Sequence, residues 1–244
     1  MLRSTELTVL QAVARAGALT TRRVTEDYGM RPNWYRLLTD RYLSELQTPY
    51  GPVLTVNVRQ RQQVQELLKS DDLPYIAGPA VATDRAYQVD AIAQLESEGY
   101  ALAYCHYKQS ALNGVTKPTS IITRAVMRIP EQMEADMKRE YRGQRVMIPD
   151  EDYLTGRPEA FGLPSLYASI SNGGITLARL KKLYQRHHLD IHDWRHPLLV
   201  AVPDDRPYRA YIRKLDAERS LAETGLPVPH YRYGLIRLVV VPVP

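Results

Sequence analysis

Cysteine is almost missing from this chain: Cys105 stands alone among 244 residues. A single thiol forms neither an internal disulfide nor a cysteine-based zinc site, so neither device holds the fold together. Its setting, Tyr100-Ala101-Leu102-Ala103-Tyr104-Cys105-His106-Tyr107, is apolar and reads as a buried strand rather than the surroundings of a nucleophile. Long apolar runs are also missing, and none approaches the roughly 20 residues that a membrane-spanning helix needs. No signal-peptide pattern opens the sequence, which points to the cytoplasm and away from any membrane. There is no glycine-rich phosphate loop, since Gly173-Gly174 reads as a tight turn between strand and helix. No Ser-His-Asp or Cys-His order stands out, and there is no internal repeat. Phenylalanine occurs once against 17 tyrosines, an amphipathic aromatic content that suits partly wetted surfaces.

What is present is a modest excess of positive charge, 32 basic against 27 acidic residues, which favours polyanionic partners. The length allows one large domain or two smaller ones. The segment from Ser4 to Ala14 opens with a Ser or Thr suited to capping, then places Leu7, Leu10, Val13 and Ala14 at helical spacing. Gly17 should end this helix. Thr20 or Thr21 caps a short second helix that runs to Tyr28, with Gly29 at its end. A third helix is expected from Pro32 through Trp34, Leu37, Leu38, Tyr42, Leu43 and Leu46. The turn Thr48-Pro49-Tyr50-Gly51-Pro52 follows, then a β-run over 53–58. Helix, helix, longer helix and hairpin within about 60 residues is the pattern of a winged helix-turn-helix, a module best known for reading the major groove of DNA.

On that reading the third helix carries the base contacts. Arg31, Asn33, Trp34, Tyr35 and Arg36 lie at its start, with Arg41 a turn later. Arginine can form two hydrogen bonds to guanine and asparagine two to adenine, which is why these residue types matter there. Trp34 serves equally well as a core residue. Arg22 and Arg23 at the start of the second helix, and Arg59 and Arg61 beyond the wing, are placed to hold phosphates.

Beyond Leu68 the polar stretch Lys69-Ser70-Asp71-Asp72-Leu73-Pro74 marks a boundary, giving a winged-helix domain over 1–68, a linker over 69–82 and an α/β domain over 83–244. In the last part strands alternate with helices. A helix capped by Thr83 or Asp84 precedes strands at 100–107 and 121–129. A helix over 130–141, strands at 145–148 and 165–170, and a basic helix over 175–188 come next. Strand 197–202, helix 206–222 and strand 235–241 close the chain. This alternation predicts an α/β fold with a mixed sheet, α+β when the winged helix is included.

The order of Asp84 to Ile92, Val146-Met147-Ile148-Pro149-Asp150, Leu166 to Ser171, Leu177 to Tyr184 and His196 to Asp204 resembles the replication-relaxation proteins of plasmids and other mobile elements. These join an N-terminal winged helix to a domain related to the PD-(D/E)xK nucleases. The resemblance implies DNA as partner and a nuclease-like fold for the second domain. Such a nuclease needs strand-borne carboxylates for a divalent metal, with a lysine nearby. Asp150 could supply one ligand, but Ser169 and Ser171 stand where the other carboxylates belong. Neutral hydroxyls cannot balance the charge of Mg²⁺, so the site should not assemble and no cofactor is expected.

Four other groups have ordinary explanations. His188, His192 and His196 recur at four-residue intervals, yet the intervening Asp190 to Trp194 reads as a loop, so no metal site is expected. Arg179, Lys181, Lys182 and Arg186, and separately Lys138, Arg139, Arg142 and Arg145, read as solvated faces. Asp204-Asp205 reads as a turn before the helix at Pro207. The sequence therefore points to a non-enzymatic, sequence-specific DNA-binding protein, a transcriptional regulator or replication-control factor acting as a homodimer on a near-palindromic site. The alternatives are a metal-dependent endonuclease using Asp150 with Glu96 or Glu98, and a protein-binding module of a replication complex.

Overall fold

A computed structural model describes residues 2–71, 73–105, 125–128, 165–190, 198–222 and 236–243. The chain begins with α1 (Ser4–Ala16), β1 (Ala18–Thr20) and α2 (Thr21–Tyr28). A 3₁₀ turn (Arg31–Asn33) leads to α3 (Arg36–Thr39), then β2 (Leu43–Thr48), β3 (Gly51–Val56) and α4 (Arg61–Leu68). The three strands form an antiparallel sheet in the order β1-β3-β2, with Ala18 opposite Thr55 and Leu43 opposite Val56.

Local chemistry sets the ends of these helices. Arg3 N–H donates to Glu6 at 2.7 Å, so the acid at the third position of α1 secures its start instead of Ser4 or Thr5. Thr20 caps α2 as expected, accepting from Arg23 N–H at 3.1 Å. Gly17, at φ 82°, closes α1 in the left-handed region. A methyl group there would lie 2.9 Å from Pro74, so this glycine also admits the chain that leaves α4.

The third helix is much shorter than expected. It ends at Thr39, Arg41 takes φ 62°, and Leu43 and Leu46 belong to a strand. Their i, i+3 spacing imitates a helix because both faces of the hairpin are covered. Leu43 joins the cluster of Val9, Leu10, Val13, Trp34 and Leu37, whereas Leu46 packs on the opposite cluster built around the next helix. Val53 and Leu54 divide between the two clusters in the same way, as neighbouring strand residues must.

That next helix, α5 (Pro79–Ser97), begins four residues before Thr83, so the last part of the expected linker is helical. It is buried on most of its circumference, through Ala82, Arg85, Ala86, Tyr87, Ala91, Ile92 and Leu95. Thr83 is not its cap: the hydroxyl donates back to the Pro79 carbonyl at 2.7 Å. One cluster runs from Ala18, Tyr50 and Val53 of the first sheet across α5 to Met127, Leu166, Leu199 and Val239 of a second sheet. Helix α5 is thus the shared centre of both halves.

The second sheet holds β4 (Ala101–Cys105), β5 (Ala125–Arg128), β6 (Ser165–Tyr167), β7 (Leu198–Val202) and β8 (Ile236–Val240) in sequential order. Strands β4, β5 and β6 pair antiparallel, while β6, β7 and β8 pair parallel, so the sheet is mixed as the sequence implied. Helices α6 (Leu177–Asp190) and α7 (Arg209–Ala222) connect the parallel strands. All five β7 residues are buried. Leu199 and Ala201 face α5, and Leu198, Val200 and Val202 face Leu180, Leu183 and Tyr208. The expected helix over 130–141 and strand over 145–148 lie outside the described residues. Among those described, no helix is long and apolar enough to cross a membrane.

Candidate nucleic-acid interface

The ten residues expected to meet DNA are not all on one surface. Trp34 is fully buried, and its indole N–H donates to the Gly29 carbonyl at 3.0 Å, so it belongs to the core. Arg22 and Arg23 turn toward α5, where their guanidinium groups lie 3.8 and 4.0 Å from the Asp90 carboxylate. Arg23 also bonds Asp27 at 2.6 Å. Arg61 donates to the Leu73 carbonyl and lies over the Tyr75 ring at 5.7 Å, which ties α4 to the segment before α5. Trp34 and Arg61 serve internal joints and Arg23 is half-buried, whereas Arg22 keeps an exposed side chain beside its contact with Asp90.

The hairpin tip is likewise occupied. Tyr50 is buried edge-on against Tyr87, their centroids 5.3 Å apart, and its hydroxyl donates to Asp90 at 2.6 Å. Burial pushes the Asp90 carboxyl above its ordinary value, with the Tyr50 hydroxyl, Arg23 and Arg22 drawing it partly back down. Burial and the same hydrogen bond push the Tyr50 hydroxyl up.

The sign of the Asp90 effect follows from linkage. A folded value above the unfolded one near 3.8 means that the fold favours the protonated acid. That contribution is complete below the unfolded value and is lost as pH rises through the folded one. Wild-type stability relative to Asp90→Asn should therefore fall as pH rises from the unfolded value through the raised folded one, as read from urea unfolding at each pH. A difference that grew over the same interval would mean that Arg22 and Arg23 dominate instead.

The remaining six candidates stay at the surface. Arg31, Asn33, Tyr35, Arg36, Arg41 and Arg59 are all exposed. Arg36 is held along α3 by Asp40 at 3.0 Å. The Arg31 guanidinium pairs with Glu45 at 2.9 Å and lies 5.3 Å from the centre of the Tyr35 ring. Four of the six, Arg31, Tyr35, Arg41 and Arg59, line one open concavity of about 640 Å³ between α3, β2 and the turn after β3. Asn57 fixes that turn by accepting from Arg59 N–H at 3.0 Å. Three guanidinium groups around one hollow form a positive surface that can accept phosphate oxygens.

The two serines have a different role from the one their position implied. Asp84 accepts Ile170 N–H at 2.7 Å and Ser171 N–H at 2.8 Å, and both serine hydroxyls, at 3.1 Å from Ser169 and 2.8 Å from Ser171. This carboxylate fastens α5 to the turn after β6, which explains why Asp84 is not a helix cap. Nearby, buried Arg85 donates to the Ala16 carbonyl at 2.5 Å and to Gln88 at 2.7 Å, anchoring the end of α1 to the same helix. Sequence reasoning missed Asp84, Asp90 and Tyr50 as joints because each partner is at least 40 residues away.

Of the residues considered as metal ligands, Glu98 pairs with Arg237 and Glu96 is exposed. Asp150, His192 and His196 lie outside the described residues, as do Lys138, Arg139, Arg142 and Arg145. Arg179, Lys181 and Lys182 are exposed on α6, with Arg179 over Tyr167 and Lys181 over Tyr211. Asp204 and Asp205 bind Arg206 and Arg209 at the start of α7, the turn that their sequence implied. Comparison with family models, characterised proteins and solved structures finds no match to this chain.

Proposed function

We propose that this chain binds double-stranded DNA without cleaving it, using its N-terminal part as a winged helix-turn-helix. The observation that carries the reading is the coincidence of two features. The element order α1-β1-α2-α3-β2-β3 closes an antiparallel sheet in the order β1-β3-β2, and the α3 region presents Asn33, Arg36, Arg31 and Arg41 to solvent. Asn33 and Arg36 are the base readers, and the surrounding arginines hold phosphates. The docked hairpin tip leaves the α3 region as the main contact. The non-enzymatic part of the reading is supported by Ser169 and Ser171, whose hydroxyls are committed to Asp84. The second domain is then a nuclease-like scaffold that places the reader, in a transcriptional regulator or replication-control factor.

Arg36→Ala and Asn33→Ala should each weaken binding to a cognate duplex by about 1–3 kcal/mol, roughly fivefold to more than a hundredfold, while urea unfolding stays unchanged. Fluorescence anisotropy on a duplex selected from random sequence reads this out. Equal affinity in both variants would remove α3 from the interface. Pairing of two copies on a near-palindromic site is part of the same proposal, and a light-scattering mass of the protein near 27.9 kDa would end it.

A further inference from the structure

We propose that the concavity beside α3 holds a single unstacked nucleotide, with Arg41 and Arg59 on its phosphate and the Tyr35 ring against its base. The inference rests on the nucleic-acid reading above and names what that surface takes. Its volume, about 640 Å³, falls within the roughly 300–1,000 Å³ of sites that hold small molecules. A flat phosphate-contact surface has no need of such a hollow.

The wall chemistry divides as a nucleotide does. Arg41 and Arg59 are exposed at the rim, and among the described residues neither has an acidic partner, unlike Arg31 and Arg36. Tyr35 is 47% exposed, with Arg31 over its ring, so it offers an aromatic platform already backed by a cation. Glu45 supplies a hydrogen-bond acceptor: its Oε2 is shielded from solvent and pairs with Arg31 at 2.9 Å, which leaves carboxylate lone pairs for a further donor. An exocyclic amino group of adenine, cytosine or guanine satisfies such an acceptor. Ser44 and Asn57 add polar groups to the same wall.

Arg41 provides a second, independent observation. It adopts φ 62° at the end of α3, where glycine is the favoured residue. A large side chain held in the left-handed region is explained if that side chain has a task in the concavity that a glycine could not perform. The same backbone makes Arg41→Gly a useful variant, because glycine relieves the conformation instead of straining it.

The test uses the full chain and fluorescence anisotropy on three labelled probes of one sequence: a perfect duplex, the same duplex with one unpaired nucleotide, and its single strand. Nucleoside monophosphates compete in a fourth arm. The expected result is binding of the bulged duplex and single strand at least about tenfold tighter than the perfect duplex. Arg41→Gly and Tyr35→Ala should collapse that ratio toward one, with the thermal midpoint of Arg41→Gly unchanged or raised. Equal affinity for all three probes would overturn the inference and leave duplex binding standing. Direct binding of a fluorescent mononucleotide, lost in Arg41→Gly, with none of the three DNA probes bound would keep the site and overturn the duplex reading. Binding of neither DNA nor mononucleotide would overturn both.

Discussion

Replacing Asp84 by alanine should lower the stability of the whole chain by about 3 kcal/mol, the largest effect expected of any exposed or half-buried residue. Its carboxylate accepts from two backbone N–H groups and two hydroxyls, all on the turn after β6. Hydrogen bonds to a charged acceptor contribute about 1.5–3 kcal/mol each in favourable cases, and their sum is reduced because water reaches a half-buried site. Without the carboxylate, the Ile170 and Ser171 N–H groups lose their partner beside α5. Asp84→Asn should recover part of the loss, since its carbonyl still accepts from the backbone. Ser169→Ala with Ser171→Ala should cost less than Asp84→Ala, as the two backbone bonds remain. Urea unfolding of the three variants checks the order. An Asp84→Ala protein within about 0.5 kcal/mol of wild type would show that this joint contributes little.

Trp34→Ala should destabilise the N-terminal part by about 3–5 kcal/mol, the usual cost of removing a large aromatic side chain from a core. The indole is fully buried among Val9, Leu10, Val13 and Leu37, and the Gly29 carbonyl would also lose its donor. Trp34→Phe keeps most of the volume and should cost less than half as much. The comparison separates a core role from a contact role. A tryptophan that met DNA would leave unfolding unchanged on truncation and reduce binding alone. Far-ultraviolet circular dichroism through a urea titration gives the answer without any ligand.

The second sheet was legible in the sequence because β7 and β8 each lie in a nearly continuous apolar run. Leu198 to Val202 needs cover on both faces, and no helix of that length with that pattern competes with a strand. The helices between them announced themselves by charge and periodicity. The third helix misled for a related reason. Leu43 and Leu46 bury on opposite sides of β2, so a strand with two covered faces shows the spacing of a helix. Nothing local distinguishes the two, and only the presence of α5 against the first sheet resolves it.

The exposure of the candidate residues was legible in part. Asn33, Tyr35, Arg36, Arg41 and Arg59 are exposed, but of these only Arg36 lies within α3. Arg22, Arg23 and Arg61 also contact Asp90, Leu73 and Tyr75, partners from beyond the N-terminal unit that their positions did not reveal. A basic residue at the start of a helix looks the same in sequence whether it faces a phosphate or a carboxylate 67 or 68 residues later. Asp84 shows the converse. It sits where a helix cap is plausible, yet its four bonds reach across 85–87 residues of chain.

The central claim is that this chain grips duplex DNA and leaves it intact. Agarose electrophoresis of a supercoiled plasmid with the full-length protein at low salt, with and without Mn²⁺, tests it most directly. The account predicts retarded plasmid that returns to the supercoiled position once the protein is removed, with retardation that fades as salt rises. Plasmid that is never retarded, or that is nicked in Mn²⁺ and spared by Asp150→Ala, would contradict it.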